Sequence, residues 1–518
     1  MTPGPPHPPA LESDANLLSR LDRAPVTRKL RVGISVVVLV WLLESFDIGL
    51  VSVLILVLGP EWDLSSGQIG LLGASGTIGL LAGMLPAGRM ADLFGRKRVL
   101  IIGTAVFAAF TFLSAFSTGF VSLVILRMLA GLGEGAIFPV PYLMISELVN
   151  KQKRGRIMGY AQWVLNAGYT LPALVGLWAI NTFEPDWSWR VASMIGGAPL
   201  LLLPVLAKWV PESPRFLLKQ AERKGSEEAR QQVRALVEEI EDEAGIAHDE
   251  KLVDPGILKV LTATDQGEST RMRRLLRPPY LRRSLIAYSA LTASFVVWYT
   301  MLTYAPTIFG NLGATESNSL LYTGVMMFIS AFGVFYQGRF ADSRGRKRVF
   351  AVYMAFASVG LALLTLEPVV GIFVVVLGAV AAAWFGLGSF SVPKMYMAEQ
   401  YPTRLRGLGT STGEMISRGL TGGILVALLP GLFESFGVTA VLITAAVVMI
   451  LLTLPMLFLG QETSGRNMED LGTDTDVTAD GTSVAVSSTT SGAGDGPLVA
   501  SGTEGVTDRG TRIGDPPS

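Results

Sequence analysis

Gly88-Arg-Met-Ala-Asp92-Leu-Phe-Gly95-Arg96-Lys97-Arg98 returns 250 residues later as Gly338-Arg-Phe-Ala-Asp342-Ser-Arg-Gly345-Arg346-Lys347-Arg348. Each copy lies between two long apolar segments. A second pairing runs in phase with the first. Glu147 precedes Arg154-Gly155 by seven residues, and Glu399 precedes Arg406-Gly407 by the same seven. A signal duplicated at constant phase in an apolar chain implies two homologous halves. Two such halves across a bilayer imply a solute carrier that opens alternately to each side.

Working outward, a bilayer span needs roughly 20 apolar residues, and twelve stretches qualify. In the first half they are about 32–58, 66–88, 98–117, 119–147, 157–182 and 189–210. In the second they are about 283–310, 317–338, 348–366, 369–398, 407–432 and 437–459. Ser117-Thr-Gly-Phe120 is the only plausible turn between the third and fourth. The expected fold is all-α, with twelve transmembrane helices in two pseudo-symmetric bundles of six, residues 31–210 and 283–460. Between them, 211–282 reads as a polar linker with surface helices, the clearest from Ser226 to Gly245. It ends in a basic run of Arg271, Arg273, Arg274, Arg277, Arg282 and Arg283. Residues 1–30 lack a signal-peptide layout and read as a disordered cytosolic N-terminus. Residues 461–518, rich in Gly, Ser, Thr and Asp, read as a disordered cytosolic tail.

Of 518 residues, 50% are hydrophobic and 16% charged, with mean hydropathy +0.46. That balance excludes an ordinary soluble enzyme. Formal net charge is zero, so bulk charge indicates no nucleic-acid partner. The chain has no cysteine, which rules out disulfides, thiolate catalysis and cysteine-held metals. Its two histidines, His7 and His248, lie in polar flanks. No metal site or cofactor is expected, and no enzymatic motif is visible.

Loop charge gives orientation. Arg28, Lys29, Arg31, Arg96 to Arg98, Lys151, Lys153, Arg154, Arg156, Arg346 to Arg348, Arg404 and Arg406 fall in one set of loops. Glu61, Asp63, Glu184, Asp186, Glu316, Glu367 and Glu434 fall in the other, with Arg190 as its one base. The positive-inside bias assigns the basic set, both termini and the linker to the cytosol of a multi-pass protein in the cell membrane.

The pattern G-x3-D-x2-G-R-K-R after spans 2 and 8 resembles the signature loop of the major facilitator superfamily. Arg127-Met-Leu-Ala-Gly131-Leu-Gly133, Pro141-Tyr142 and Glu147 with Arg154-Gly155 resemble its sugar-porter branch. So do Pro211-Glu212-Ser213-Pro214-Arg215 and Gln461-Glu462-Thr463, where Gly460-Gln461 replaces the usual proline start. Span 7 departs from that branch. Tyr288 to Tyr304 contains none of the glutamines and asparagine that serve sugar hydroxyls there. Met395 to Gly407 is similar to organic-ion, vesicle-protein-like and aromatic-acid carriers. Leu43-Glu44-Ser45-Phe46-Asp47-Ile-Gly49 is similar to aromatic-acid:proton symporters. The resemblance thus implies a transporter of an organic or aromatic acid, or a related metabolite, rather than a hexose.

An ionisable group at bilayer depth costs roughly 2.5–3.5 kcal/mol on insertion scales and marks a pathway. Glu44 and Asp47 share one face of span 1, and Arg127 and Glu134 share one face of span 4. A carboxyl group out of water favours its neutral form, and a nearby guanidinium favours the charged one. A carboxylate toggling between such environments loads and releases a proton. Asp47 is read as the proton site and Arg127 as its partner, the relation these groups have in related symporters. The alternative is a permanent ion pair. Glu134 is either a second proton carrier or a partner of Arg127. The proton is the only coupling agent expected.

In the second half, Arg418 either pairs with Glu414 along span 11 or contacts an anionic substrate. Lys394 is placed to snorkel to the interface. Gln162, Asn166 and Tyr169 can bond a substrate or glue helices together. Trp298, Tyr299 and Tyr304 can stack on a ring or simply pack.

The basic loops read as a gate. Gly88 and Gly338 would let helices approach closely. Asp92 and Asp342 would accept hydrogen bonds at a neighbouring helix N-terminus. Glu147 and Glu399 would meet Arg96 or Arg98 and Arg346 or Arg348, within a half or crosswise, with Arg154 and Arg406 beside them. In the superfamily, pairs between the halves hold the outward-facing state closed. Proton-coupled uptake by a functional monomer is the first reading. A sugar symporter, a proton-driven exporter and a non-transporting nutrient sensor compete with it.

Overall fold

A computed structural model describes residues 9–255, 257–258, 275, 277–278, 280–366, 372–401 and 403–464. The expected tail beyond 464 lies outside them, as do His7, Arg271, Arg273, Arg274 and Glu367. The apolar runs form spans 1 to 6 at Arg28–Glu61, Ser66–Phe94, Arg96–Ser114, Phe120–Leu148, Lys151–Thr182 and Pro185–Trp209. Spans 7 to 10 are Tyr280–Asn311, Glu316–Arg344, Arg346–Leu364 and Val374–Glu399. One further stretch, Leu405–Leu459, runs 55 residues. At 1.5 Å per residue that is ~80 Å, far beyond a hydrocarbon core of about 30 Å. It breaks at Gly437, with φ 77° and ψ 158°, into spans 11 and 12.

Sequence punctuates these helices. Ser65 and Gln68 close a capping box at the start of span 2. Gly95 (φ 97°) and Gly345 (φ 90°) turn the chain into spans 3 and 9, a backbone that glycine adopts without penalty. They explain the glycine in each copy of the repeated loop. Spans 2 and 4 meet backbone to backbone: a Cβ at Gly79 would stand 1.9 Å from the Met128 carbonyl oxygen. Large apolar side chains such as Leu85, Leu201, Phe436 and Phe458 point outward, exposed. Outside a membrane that surface would be untenable.

Wide π-helical turns interrupt span 10 at Ala382–Leu387 and span 11 at Gly419–Leu425. Such turns re-aim side chains at functional sites. The two halves touch along spans 1 and 7, 2 and 11, and 5 and 8. Contact is closest at the end away from the repeated basic loops. There a Cβ at Gly70 would lie 2.0 Å from the Ala427 carbonyl oxygen, and Ser66 bonds Glu434 across the halves. Ser317 also donates to Asn181 at 3.1 Å. Midway along span 2, Leu81 touches the position of Gly419. At Gly88, on the basic end, an added Cβ would meet nothing within 4 Å. The halves therefore pack backbone to backbone at one end, while Gly88 at the basic end stays exposed.

The N-terminus corrects the sequence reading. Pro9–Arg23 is a helix, where residues 1–30 were expected to be unstructured. Leu17, Leu18 and Leu21 bury against Phe216, Leu217, Val233, Val237 and Ile240 of two linker helices, Pro214–Lys224 and Glu227–Ala244. Arg20 Nη2 meets Glu241 Oε2 at 2.5 Å with both side chains buried. Composition flagged the prolines and missed the apolar face, because its partner lies more than 190 residues away in the chain.

Candidate functional site

Mid-depth in the first half, spans 1, 3 and 4 converge on Asp47. Its Oδ1 accepts from Arg127 Nη1 at 2.6 Å and from Thr111 Oγ1 at 2.6 Å. Arg127 Nη2 also donates to the Asp47 carbonyl oxygen at 3.0 Å. Glu134, on span 4, is the third charged group here and forms no ion pair with Arg127 among the described contacts. All three charged groups are buried, and Asp47 Oδ2 and Glu134 Oε1 have no hydrogen-bond partner. The sequence left Glu134 open between two roles. Among the described contacts it bonds neither Asp47 nor Arg127.

A second group lies between the halves. Arg418 Nε binds Glu414 Oε2 at 3.1 Å, and Arg418 Nη1 donates to the Tyr299 hydroxyl at 3.2 Å. The guanidinium is held between the rings of Phe138, 4.5 Å away, and Phe295, 4.9 Å away. Such cation–π contacts strengthen once water is excluded. Trp298 packs edge-on against Tyr169 at 5.1 Å and Tyr299 at 4.7 Å. Lys394 does not snorkel. Its Nζ turns to Glu414 Oε1 at 3.5 Å. Glu414 is thus claimed by both cations. Glu44, on span 1, is buried, with Oε2 lacking a hydrogen bond.

Other expected ligands split. Gln162 Oε1 accepts from Tyr142 at 2.5 Å and stays half-buried beside this group. Asn166 spends its amide on the Gln162 carbonyl oxygen at 2.8 Å. Tyr304 is structural: its hydroxyl donates to the Val426 carbonyl oxygen at 2.8 Å. Phe138, Phe295 and Thr111 were missed, since nothing about a lone Phe or Thr in a span separates a site residue from packing.

The basic end forms two matching networks. Arg96 reaches Glu147 at 3.5 Å and Asp92 at 3.3 Å. Arg346 reaches Glu399 at 3.1 Å and Asp342 at 2.8 Å. Every one of these pairs lies within one half, so the crosswise gate is not formed here. Arg98 and Arg348 are exposed. Arg154 bonds the Val149 carbonyl oxygen at 3.2 Å, and Arg406 the Ala398 carbonyl oxygen at 3.1 Å. Both therefore secure local turns.

Nor do Asp92 and Asp342 cap a neighbouring helix. Glu212 Oε1 accepts from the backbone N–H of Arg96 at 2.9 Å and of Lys97 at 3.1 Å. Glu462 accepts from Arg346 N–H at 2.8 Å and Lys347 N–H at 3.2 Å. Carboxylates there satisfy orphan donors and meet the helix dipole. Burial opposes ionisation of Glu462, and these backbone amides hold it below the usual carboxylate range. Ser213 and Thr463 then bond Glu147 and Glu399. Glu212 and Glu462 stand at the same 250-residue offset as the loops, which is the signal that could have found them. Gly88 and Gly338 are not close approaches either: Gly338 has only ordinary contact with Ser391 at 3.5 Å.

A duplicated twelve-span bundle, closed at one end around buried counter-charged groups, is the architecture of a secondary transporter. Residues 33–474 match the family model described as sugar (and other) transporter, and the chain belongs to that family, within the major facilitator superfamily. The niacin transporter NiaP of Acinetobacter baylyi is 26% identical over 459 residues, covering 88% of this chain and 100% of that protein. The gallate transporter of Pseudomonas putida is 26% identical, with coverage of 83% and 91%. Among solved structures, the inward-open xylose transporter XylE from E. coli matches with TM-score 0.67 at 20% identity, covering 85% of this chain and 98% of that one. The protein is a multi-pass membrane transporter of small organic solutes and not an enzyme.

Proposed function

We propose that this chain is a proton-coupled symporter for a small organic or aromatic acid, working as a monomer in the cell membrane by alternating access. One observation carries the acid reading: a buried arginine fork, Arg418, clamped between Phe138 and Phe295 and bonded to Tyr299. A planar fork binds a carboxylate bidentately, and flanking rings accept a flat substrate. Relatives that carry niacin and gallate support the same class. The proton site is Asp47, paired with Arg127 and sharing its proton with Glu134. The basic end faces the cytosol, following the positive-inside bias. The conformation open at that end is then the one that releases solute inward.

Proteoliposome uptake with an imposed pH gradient tests this. One pH unit is worth 1.36 kcal/mol per proton, hence about tenfold accumulation for one coupled proton. A panel of aromatic acids, sugars and polyols should show accumulation for acids only. Accumulation of a sugar in place of acids would make it a sugar symporter. Counterflow without gradient-driven accumulation would make it a facilitator, and gradient-driven extrusion an exporter.

A further inference from the structure

We infer that Glu414 is a built-in stand-in for the substrate: its carboxylate occupies the Arg418 fork in the empty carrier, and an incoming carboxylate displaces it onto Lys394. This rests on the acid reading and deepens it, because it makes Glu414 and Lys394 the residues that set affinity for acids.

The ion pairs between the halves carry the inference. One carboxylate lies between two cations: Glu414 Oε2 meets Arg418 Nε at 3.1 Å, and Glu414 Oε1 meets Lys394 Nζ at 3.5 Å. Arg418 follows one turn later on span 11, whereas Lys394 comes from span 10. The guanidinium is the fixed member. Phe138 and Phe295 hold its faces, and Tyr299 holds Nη1. A bidentate carboxylate needs two neighbouring nitrogens of such a fork. Both edges are already in use, Nε by Glu414 and Nη1 by Tyr299, while Nη2 has no hydrogen bond among the described contacts. Whichever edge the substrate takes, Glu414 would stand beside it as a like charge in a water-poor site, where such repulsion is large. Lys394 offers the way out. Its ammonium already touches the other oxygen of Glu414, so rotation of that side chain exchanges one cation for the other and strands neither. An ammonium on a flexible stem tolerates a moving partner, and the planar fork is left for the substrate. In the empty carrier two cations share one carboxylate. With a monocarboxylate bound, two cations face two carboxylates and the cluster is neutral.

Calorimetry on the purified protein tests this with benzoate and nicotinate, each against its uncharged amide. Four proteins are compared: the wild type, Glu414→Gln, Lys394→Gln and the double variant. Glu414→Gln should bind the acids about tenfold tighter, since no internal carboxylate competes for a charge-assisted hydrogen bond. A Glu414 that only orients the fork gives the opposite sign. Lys394→Gln should bind about tenfold weaker, because the displaced carboxylate then has no cation to receive it. Without Glu414, Lys394 has nothing to receive, so its loss should cost less than about threefold. The double variant should therefore bind acids about threefold tighter than the wild type or better. It keeps the net charge of the wild type, so it decides the matter even if the excess cation unfolds Glu414→Gln. A double variant that merely returns to wild-type affinity has additive effects, and that result overturns the inference. So do weaker or unchanged acid binding in Glu414→Gln and parallel changes for the amides. If neither the wild type nor any variant binds benzoate or nicotinate, the acid reading falls and takes the inference with it. Acid binding by the wild type together with any of the overturning results removes the inference alone.

Discussion

Replacing Asp47 by Asn should cost less than the burial of its ion pair indicates, and Glu134 is the reason. Arg127 is 2% exposed and meets Asp47 at 2.6 Å. With charge centres about 4 Å apart and an effective dielectric of about 20, that attraction is about 4 kcal/mol. Stranding one member of such a pair costs about 3–5 kcal/mol. On the proposed shared-proton reading, however, Glu134, two turns from Arg127 on span 4, gives up its proton in Asp47→Asn and compensates Arg127. The single variant should therefore lose only about 1–2 kcal/mol. Glu134→Gln keeps the Asp47–Arg127 pair and should be near neutral. The double variant strands Arg127 and should lose the full 3–5 kcal/mol, an excess of about 2 kcal/mol over the sum of the singles. SDS-induced unfolding of the four proteins in mixed micelles measures this cycle. Additivity within about 0.5 kcal/mol would refute the shared-proton cluster. So would a loss of about 4 kcal/mol in Asp47→Asn alone.

Two more outcomes follow from other parts of the molecule. Burial pushes the Glu241 carboxyl up, but Arg20 and Arg23 outweigh it and hold the group below the usual range. A depressed folded value means that docking of the N-terminal helix is stabilised above about pH 4.5 and weakened as pH falls through the lower folded value. Hydrogen exchange across Pro9–Arg23 should speed up below that point, and Arg20→Ala should speed it at neutral pH, because the buried Glu241 then keeps only the partly exposed Arg23 at 3.2 Å as its arginine partner. Unchanged protection in Arg20→Ala would remove the brace. Arg418→Lys keeps the charge but loses the planar fork between two rings, so KM for an acid substrate should rise at least tenfold in counterflow. An unchanged KM would take Arg418 out of the substrate site.

Much of this protein was legible in one dimension. Hydrophobic runs of bilayer length, a basic loop repeated at fixed phase and glycines where φ must be positive are local or periodic signals, and local physics decides them. They gave twelve spans, two halves, the membrane and the mid-depth charges Glu44, Asp47, Arg127 and Arg418. Three-dimensional packing decided who meets whom. Arg127 meets Asp47 only because spans 1 and 4 come together in space. Phe138 and Phe295 come from opposite halves to enclose Arg418. Glu212 and Glu462, not the loop aspartates, cap spans 3 and 9 across more than 100 residues of chain. The N-terminal helix exists because linker helices cover its apolar face. Pairing energies depend on distance in space, and one chain read along its length carries no such distances between segments that fold together from far apart.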